Sequence, residues 1–126
     1  MRYIIDAYSW IEYLEGGEKG EKVHKILKSD NEIFVLPITI AEVISKVKRS
    51  KKNTQLAYES IISKAKIINS TPKIAKEAGL LHAEKRKKVP QFGIVDAFLV
   101  ILARITGAKV LTGDNHFKGF KEATFL

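Results

Sequence analysis

The sequence predicts an α/β fold in which a central, mostly parallel sheet of about four to five strands is flanked by helices. Short apolar runs of strand length alternate along the chain with longer segments of helical periodicity, which is the order typical of parallel sheets. The 126 residues fit a single domain, residues 1–126. A composition of 45% hydrophobic and 29% charged residues indicates a folded protein with a core rather than a disordered chain.

The first half of the chain reads as two strands and four helices. The strands are short apolar runs, and the helices show apolar residues at intervals of three and four. Glycines and Pro37 mark the breaks between elements, and Thr39 has the position of a helix N-cap. In chain order the predicted elements are strand 2–6, helix 7–15, helix 18–29, strand 32–37, helix 39–50 and helix 54–65.

The second half of the chain continues the same alternation. Thr71 is expected to cap a helix whose first residue is Pro72, a position that tolerates proline, and Gly107 closes the most apolar helix. The predicted elements are strand 65–70, helix 70–88, loop 89–93, helix 94–107, strand 108–114 and a possible edge strand 123–126.

The chain is strongly basic, with 22 Lys and Arg against 14 Asp and Glu, a net charge of +8. The excess is concentrated in KVKRSKK (residues 46–52) and EKRKK (residues 84–88). These clusters are either solvated helix ends, where cations favour the dipole, or contacts for a nucleic acid. The candidate nucleic-acid-binding residues are Lys48, Arg49, Lys51, Lys52, Lys85, Arg86, Lys87 and Lys88.

Several classes of protein are disfavoured by what the sequence lacks. No window approaches the roughly 20 apolar residues of a membrane helix, so no membrane partner is expected. The N-terminus enters a strand pattern without the features of a signal peptide, which predicts a cytoplasmic protein. The absence of cysteine excludes disulfides and thiolate metal sites.

Four carboxylates occupy comparable places in the predicted elements. Asp6 ends the first strand, and Asp114 follows the strand run VLTG directly. Glu42 lies in the first helical turn after the run VLPIT. Asp96 lies in the first turn of the most apolar predicted helix. Because ligand sites in parallel sheets lie beyond the carboxyl ends of the strands, these four acids are positioned to converge on one pocket.

Each acid also has a purely structural interpretation. Asp6 can cap a helix, and TIAE matches a capping box in which Glu42 bonds back to the Thr39 amide. Asp96 can complement a helix dipole, and Asp114 can be a turn residue in TGDN. The joint pattern favours a site, because caps need no charge whereas carboxylates recur here beside residues expected to be buried.

A cluster of carboxylates has a chemical consequence. Two carboxylates about 4 Å apart repel by roughly 4 kcal/mol at an effective dielectric constant of about 20. Such a cluster therefore needs raised pKa values or a cation, and oxygen ligands suit Mg²⁺ or Mn²⁺ rather than zinc. In a basic protein these ions fit phosphodiester hydrolysis, where they activate a water and neutralise phosphate charge.

Three segments resemble the PIN domain family and, within it, the VapC-type toxin ribonucleases. They are YIIDAYSWIEYLEG, PITIAEV and GIVDAFLVILARITGAKVLTGDNHF, and the closing pattern of Thr112, Asp114 and Phe117 is similar to the family's T-x-D-x-x-F. The resemblance implies a three-layer PIN-like fold and a magnesium- or manganese-dependent endoribonuclease. It implies a catalytic and metal-binding set of Asp6, Glu42, Asp96 and Asp114.

The resemblance also implies an RNA substrate, a small antitoxin partner and a homodimer, for which the apolar segment 8–14 is the expected contact. Thr112 matches the family's supporting hydroxyl. After the first acid the family usually has Ser, Thr or Asn within two positions, whereas this chain has its first hydroxyl at Ser9. Many relatives have a further acid two residues beyond the last one, where this chain has His116. The resemblance therefore leaves open whether the site binds one metal ion or two. The alternative function is a non-catalytic PIN-like RNA-binding or scaffold domain.

Overall fold

Five strands form the middle layer of the computed structural model, which describes all 126 residues. They are β1 (Arg2–Ile5), β2 (Glu32–Val35), β3 (Lys66–Ile67), β4 (Lys109–Thr112) and β5 (Ala123–Phe125). Side by side their order is β3-β2-β1-β4-β5, and every neighbouring pair is parallel. The predicted α/β class is therefore confirmed, and the possible edge strand at the C-terminus is present.

Six helices cover the two faces of this sheet. They are α1 (Ala7–Glu15), α2 (Glu18–Lys28), α3 (Pro37–Arg49), α4 (Thr54–Lys64), α5 (Pro72–Lys85) and α6 (Ile94–Thr106). Successive strand residues point to opposite faces, so Ile4 packs with α5 and α6 while Ile5 packs with the first four helices. The sheet thus separates two apolar cores. None of the helices combines the length and apolar character needed to cross a membrane.

Two predicted helix boundaries are wrong for identifiable reasons, and the predicted strand 65–70 is shortened to Lys66–Ile67. Helix α3 begins at Pro37, whose fixed φ suits the first turn, and its N-cap is Leu36 rather than Thr39. Thr39 is fully buried, its amide donates to the Leu36 carbonyl at 3.0 Å, and its hydroxyl has no hydrogen-bond partner. The predicted helix 70–88 ends at Lys85, so Arg86–Lys88 lie in a turn.

The strand order sets the place of the site. The chain builds β2 and β3 on one side of β1 and then crosses to place β4 and β5 on the other side. In parallel sheets, the crevice for a ligand forms at such a reversal of strand order, outside the carboxyl ends of the strands. Here that point lies between β1 and β4, where Ile5 pairs with Leu111.

Candidate active site

The four predicted acids gather at the carboxyl edge of the sheet. Asp6 directly follows β1, and Asp114 comes two residues after the neighbouring strand β4. Asp96 lies in the first turn of α6, and Glu42 lies on α3. The charge of Asp114 raises the pKa values of Asp6 and Asp96, and the charge of Asp96 raises the pKa of Glu42, so repulsion links the four carboxylates pairwise along this edge.

Asp6 is the most deeply buried member, with 5% of its surface exposed. Its Oδ1 accepts a hydrogen bond from the Ser9 amide at 2.8 Å, which caps α1. Burial raises its pKa to about 6; hydrogen bonds from Thr112 and Ser9 oppose the rise, and the charge of Asp114 adds to it. Asp6 therefore caps a helix, as its structural interpretation proposed, and also carries a costly charge at the sheet edge.

Asp96 combines the same two properties. Its Oδ2 accepts from the Gly93 amide at 2.8 Å, which closes a capping arrangement at the start of α6. Burial raises its pKa, the Gly93 hydrogen bond and His116 lower it, and the charge of Asp114 raises it further. A helix-start role and a place in the acidic cluster are thus compatible.

Glu42 and Asp114 are the more open members of the cluster. Partial burial and the charge of Asp96 raise the pKa of Glu42, whose residue is exposed at the surface. The proposed capping box between Glu42 and the Thr39 amide is wrong, because that amide is already bonded inside the first turn of α3. The Asp114 side chain is 35% exposed, and its amide donates to the Thr112 hydroxyl at 2.9 Å.

The two supporting hydroxyl residues are both fully buried beneath the acids. Thr112 ends β4; its hydroxyl accepts a hydrogen bond from the Asp114 amide, and its proximity to Asp6 lowers the pKa of that carboxyl. Ser9 donates its hydroxyl to the Leu111 carbonyl at 2.9 Å, which ties α1 to β4. These bonds hold the acids in place through the backbone of the two central strands.

Two features of the site had no motif to reveal them. The ring of Tyr8 lies so close to Gly113 that a Cβ at residue 113 would overlap it, which explains the glycine between Thr112 and Asp114. The Tyr8 hydroxyl also accepts a hydrogen bond from Lys19 at 2.8 Å. Nothing in the local sequence around Tyr8 points to a partner more than a hundred residues away, so only the fold reveals this contact.

His116 also lies beside the acidic cluster. Its Nδ1 lies 3.4 Å from Oδ1 of Asp114 and 3.6 Å from Oδ2 of Asp96. The His116 side chain is 30% exposed, so it is open to solvent on one side. A nitrogen atom is thus placed between two of the acids.

The predicted basic residues form two groups, one at the end of α5 and one at the end of α3. The Lys85 ammonium sits 4.6 Å from the ring centre of Phe120, in the segment that follows Asp114. Arg86–Lys88 are exposed in the turn that leads to α6. In the other cluster, Lys48 is six residues beyond Glu42 on α3, or about 9 Å along the helix. The exposed basic residues of this cluster are Lys46, Lys48, Arg49, Lys51 and Lys52.

The basic residue nearest to Glu42 on α3 is Lys46, the first residue of the predicted basic cluster 46–52, although it was not among the named candidate nucleic-acid-binding residues. Lys46 lies one turn further along the helix and lines a groove shared with Glu42, Tyr8 and Glu12 of α1. Positive charge therefore approaches Glu42 from α3 through Lys46, whereas Lys85 at the end of α5 lies over Phe120.

The donor set fits a magnesium-like cation. All four acids offer oxygen atoms as ligands. The pKa values of Asp6, Glu42 and Asp96 are raised because burial and neighbouring charges destabilise the ionised carboxylates, and a cation would stabilise them. No three of the His, Asp and Glu side chains converge closely enough to form a complete coordination group by themselves. Mg²⁺ needs no such group, because it is usually held by one or two carboxylates and keeps several waters.

Comparisons with known proteins agree with this geometry. A model of the PIN domain matches residues 3–123, and no curated protein matches the sequence. The fold is similar to VapBC2 from Rickettsia felis, bound to a DNA fragment from the promoter, with a TM-score of 0.75 at 22% identity, covering 100% of this chain and 98% of that one.

Two further solved structures share the fold. VapBC-1 from nontypeable Haemophilus influenzae has a TM-score of 0.72 at 19% identity, covering 100% of this chain and 97% of that one. The sarcin-ricin loop cleaving toxin VapC20 from Mycobacterium tuberculosis has a TM-score of 0.73 at 14% identity, covering 96% and 98%. With its acids gathered at the carboxyl edge of a parallel sheet and a family match over residues 3–123, this chain belongs to the PIN domain family.

Proposed function

We propose that this protein is a metal-dependent endoribonuclease that cleaves RNA phosphodiester bonds, and that it is the toxin of a VapBC-type toxin-antitoxin pair. The observation that carries the proposal is the connected cluster of Asp6, Glu42, Asp96 and Asp114 at the switch point of the sheet. A cluster this costly in charge, in a chain of net charge +8, fits a site that holds a cation against a polyanion.

The acids divide into two kinds of role. Asp6, Asp96 and Asp114 would hold Mg²⁺ or Mn²⁺, one or two of them directly and the rest through waters that the ion keeps, since their charges repel one another around the end of β4. Glu42 is exposed on the rim, where it orients water and completes the acidic surface. When bound, the divalent cation supplies activation of a water and neutralisation of developing charge on the phosphate. Thr112 keeps the Asp114 backbone and the Asp6 carboxyl in register.

The basic residues position the RNA while the acids carry out the chemistry. Lys85, beside the segment after Asp114, and the exposed Arg86–Lys88 turn contact the phosphate backbone on one side of the cluster. Lys46 and the cluster of residues 48–52 form the opposite side. Phosphate contacts of this kind place the scissile bond over the acids without reading the sequence.

The antitoxin partner is supported by the solved structures of similar fold, which include VapBC complexes. A homodimer is part of the same proposal. Its expected contact through residues 8–14 has little exposed apolar surface, because Trp10 is fully buried and Ile11, Tyr13 and Leu14 pack against the core beside it. Sedimentation at micromolar concentration tests the dimer, and a 14.2 kDa species would contradict it.

The test of the nuclease is cleavage of a single-stranded RNA by purified protein with Mg²⁺ or Mn²⁺. The parent should cleave, and chelation of the metal should stop it. Asp96→Asn and Asp114→Asn should reduce the rate by at least about a hundredfold while RNA binding stays measurable, because the basic residues are unchanged. Asp30→Asn is the matched control, since Asp30 is exposed at the opposite edge of the sheet.

Two outcomes would contradict the nuclease. One is cleavage that survives Asp96→Asn and Asp114→Asn, which would show a contaminating enzyme. The other is a parent protein that binds RNA and a divalent cation but never cleaves, which would favour the RNA-binding or scaffold function.

A further inference from the structure

His116 places a nitrogen atom inside an otherwise all-oxygen cluster. Its Nδ1 faces Oδ1 of Asp114 at 3.4 Å and Oδ2 of Asp96 at 3.6 Å, distances at which neither contact is a good hydrogen bond. The other two histidines have different surroundings, since His24 stacks on Tyr13 and His82 stacks on an aromatic core residue. His116 is therefore the histidine placed to act together with the acids.

The two separations from His116 Nδ1 are close to those between neighbouring ligands of one ion. Neighbouring ligands of an octahedral ion with bonds of about 2.1 Å lie about 3.0 Å apart. The two observed separations from Nδ1 exceed that value by roughly half an ångström. Binding an ion through all three side chains therefore requires His116 Nδ1 to move closer to both carboxylates by about that amount.

The fold holds the imidazole in this place. His116 is the middle residue of a short 3₁₀ turn, Asn115–Phe117, that directly follows Asp114. Phe117 is fully buried, packs edge-on against Phe92 and donates its amide to the Asp114 carbonyl at 3.2 Å. Because the core anchors Phe117 on one side and Asp114 lies on the other, the backbone of His116 is fixed beside the cluster.

We propose that His116 supplies a nitrogen ligand to the cation held by Asp96 and Asp114, and that it biases the site toward Mn²⁺ and later transition ions over Mg²⁺. The inference rests on the proposed function, because it concerns the same cation. Imidazole is a good ligand for transition metals, whereas Mg²⁺ prefers oxygen. For an ion bound at Nδ1, the neutral ring carries its hydrogen on Nε2.

The affinity of such a mixed site rises from Mg²⁺ through Mn²⁺ to Co²⁺ and Ni²⁺. His116→Asn tests this, since asparagine is neutral and offers oxygen in place of nitrogen. Calorimetric titration of the metal-free variant should show Mn²⁺ and Co²⁺ affinities lower by at least about tenfold and a Mg²⁺ affinity within about twofold of the parent. His24→Asn is the matched control and should leave the whole series unchanged.

A spectroscopic measurement on the parent protein needs no variant to fold. Pulsed electron paramagnetic resonance of bound Mn²⁺ should show a directly coupled ¹⁴N nucleus, replaced by a ¹⁵N signal in labelled protein and lost in His116→Asn. If Mn²⁺ binds without nitrogen coupling, or if His116→Asn leaves the metal series unchanged, the inference is wrong while the proposed nuclease stands. If neither Mg²⁺ nor any transition ion binds the parent, both proposals fail.

Discussion

Asp6→Asn should stabilise the metal-free protein near neutral pH and change its stability little at acid pH. Burial raises the pKa of Asp6 from 3.8 to about 6, so the folded state holds the proton more tightly than the unfolded state does. Below about pH 4 the carboxyl is protonated in both states and no cost arises. Above about pH 6 it is ionised in both states, and the full cost of burying its charge is present.

The size of the effect follows from the two pKa values. A difference of about 2 in pKa corresponds to about 3 kcal/mol, since each factor of ten is worth about 1.4 kcal/mol. Asparagine removes this cost while its side-chain oxygen still accepts the Ser9 amide that caps α1. We therefore expect a gain in unfolding free energy of up to about 3 kcal/mol at pH 8, or roughly 10 °C in Tm.

The assay is urea unfolding of parent and Asp6→Asn in a chelator between pH 4 and 8. The difference in unfolding free energy should grow between about pH 4 and 6 and then level off, while Asp30→Asn should show no such rise because Asp30 is exposed. Added Mn²⁺ should stabilise the parent and not Asp6→Asn. A difference that does not vary with pH, or a variant less stable than the parent at pH 8, would refute the reasoning.

Three further predictions concern RNA, the supporting hydroxyl and the packing of the site. Replacing Arg86–Lys88 with glutamine should weaken RNA binding and leave the metal affinity unchanged. The slope of log K against log salt concentration, measured by fluorescence anisotropy, should become less steep by about two to three. Thr112→Val should raise the pKa of Asp6 further and move the acid limb of the cleavage rate to higher pH. Gly113→Ala should cost about 1–3 kcal/mol in urea unfolding, because its Cβ would overlap Tyr8, and adding Tyr8→Ala should recover part of that loss.

Each of these variants has a matched control. Replacing Lys25, Lys28 and Lys66, toward the opposite edge of the sheet, removes the same charge and should weaken RNA binding far less. Thr39→Val removes a buried hydroxyl without a partner and should leave the pH profile in place. Gly79→Ala adds a Cβ into open space and should not destabilise the fold. Equal effects in variant and control would contradict the corresponding argument.

The elements were predictable because the signals that define them are local. Apolar periodicity places α6 within one residue of its predicted end, and Thr71 and Gly107 cap their helices as expected. The errors also have local causes. Pro37 follows β2 and is the first residue of α3, so the N-cap is Leu36 and not the predicted Thr39. The 3₁₀ turn after Asp114 escaped prediction because three residues are too few to show a period.

The sequence by itself determined the alternation of strands and helices, the two cores and the placing of four acids just beyond elements that end at one edge. Those properties depend on neighbours along the chain. Only the tertiary structure decided which distant groups meet, because strand order is set by the packing of the whole sheet and not by any local pattern. The order β3-β2-β1-β4-β5 brings Ser9 to the carbonyl of Leu111, 102 residues away, and the same pairing of β1 with β4 sets Tyr8 on Gly113 and Asp6 beside Asp114.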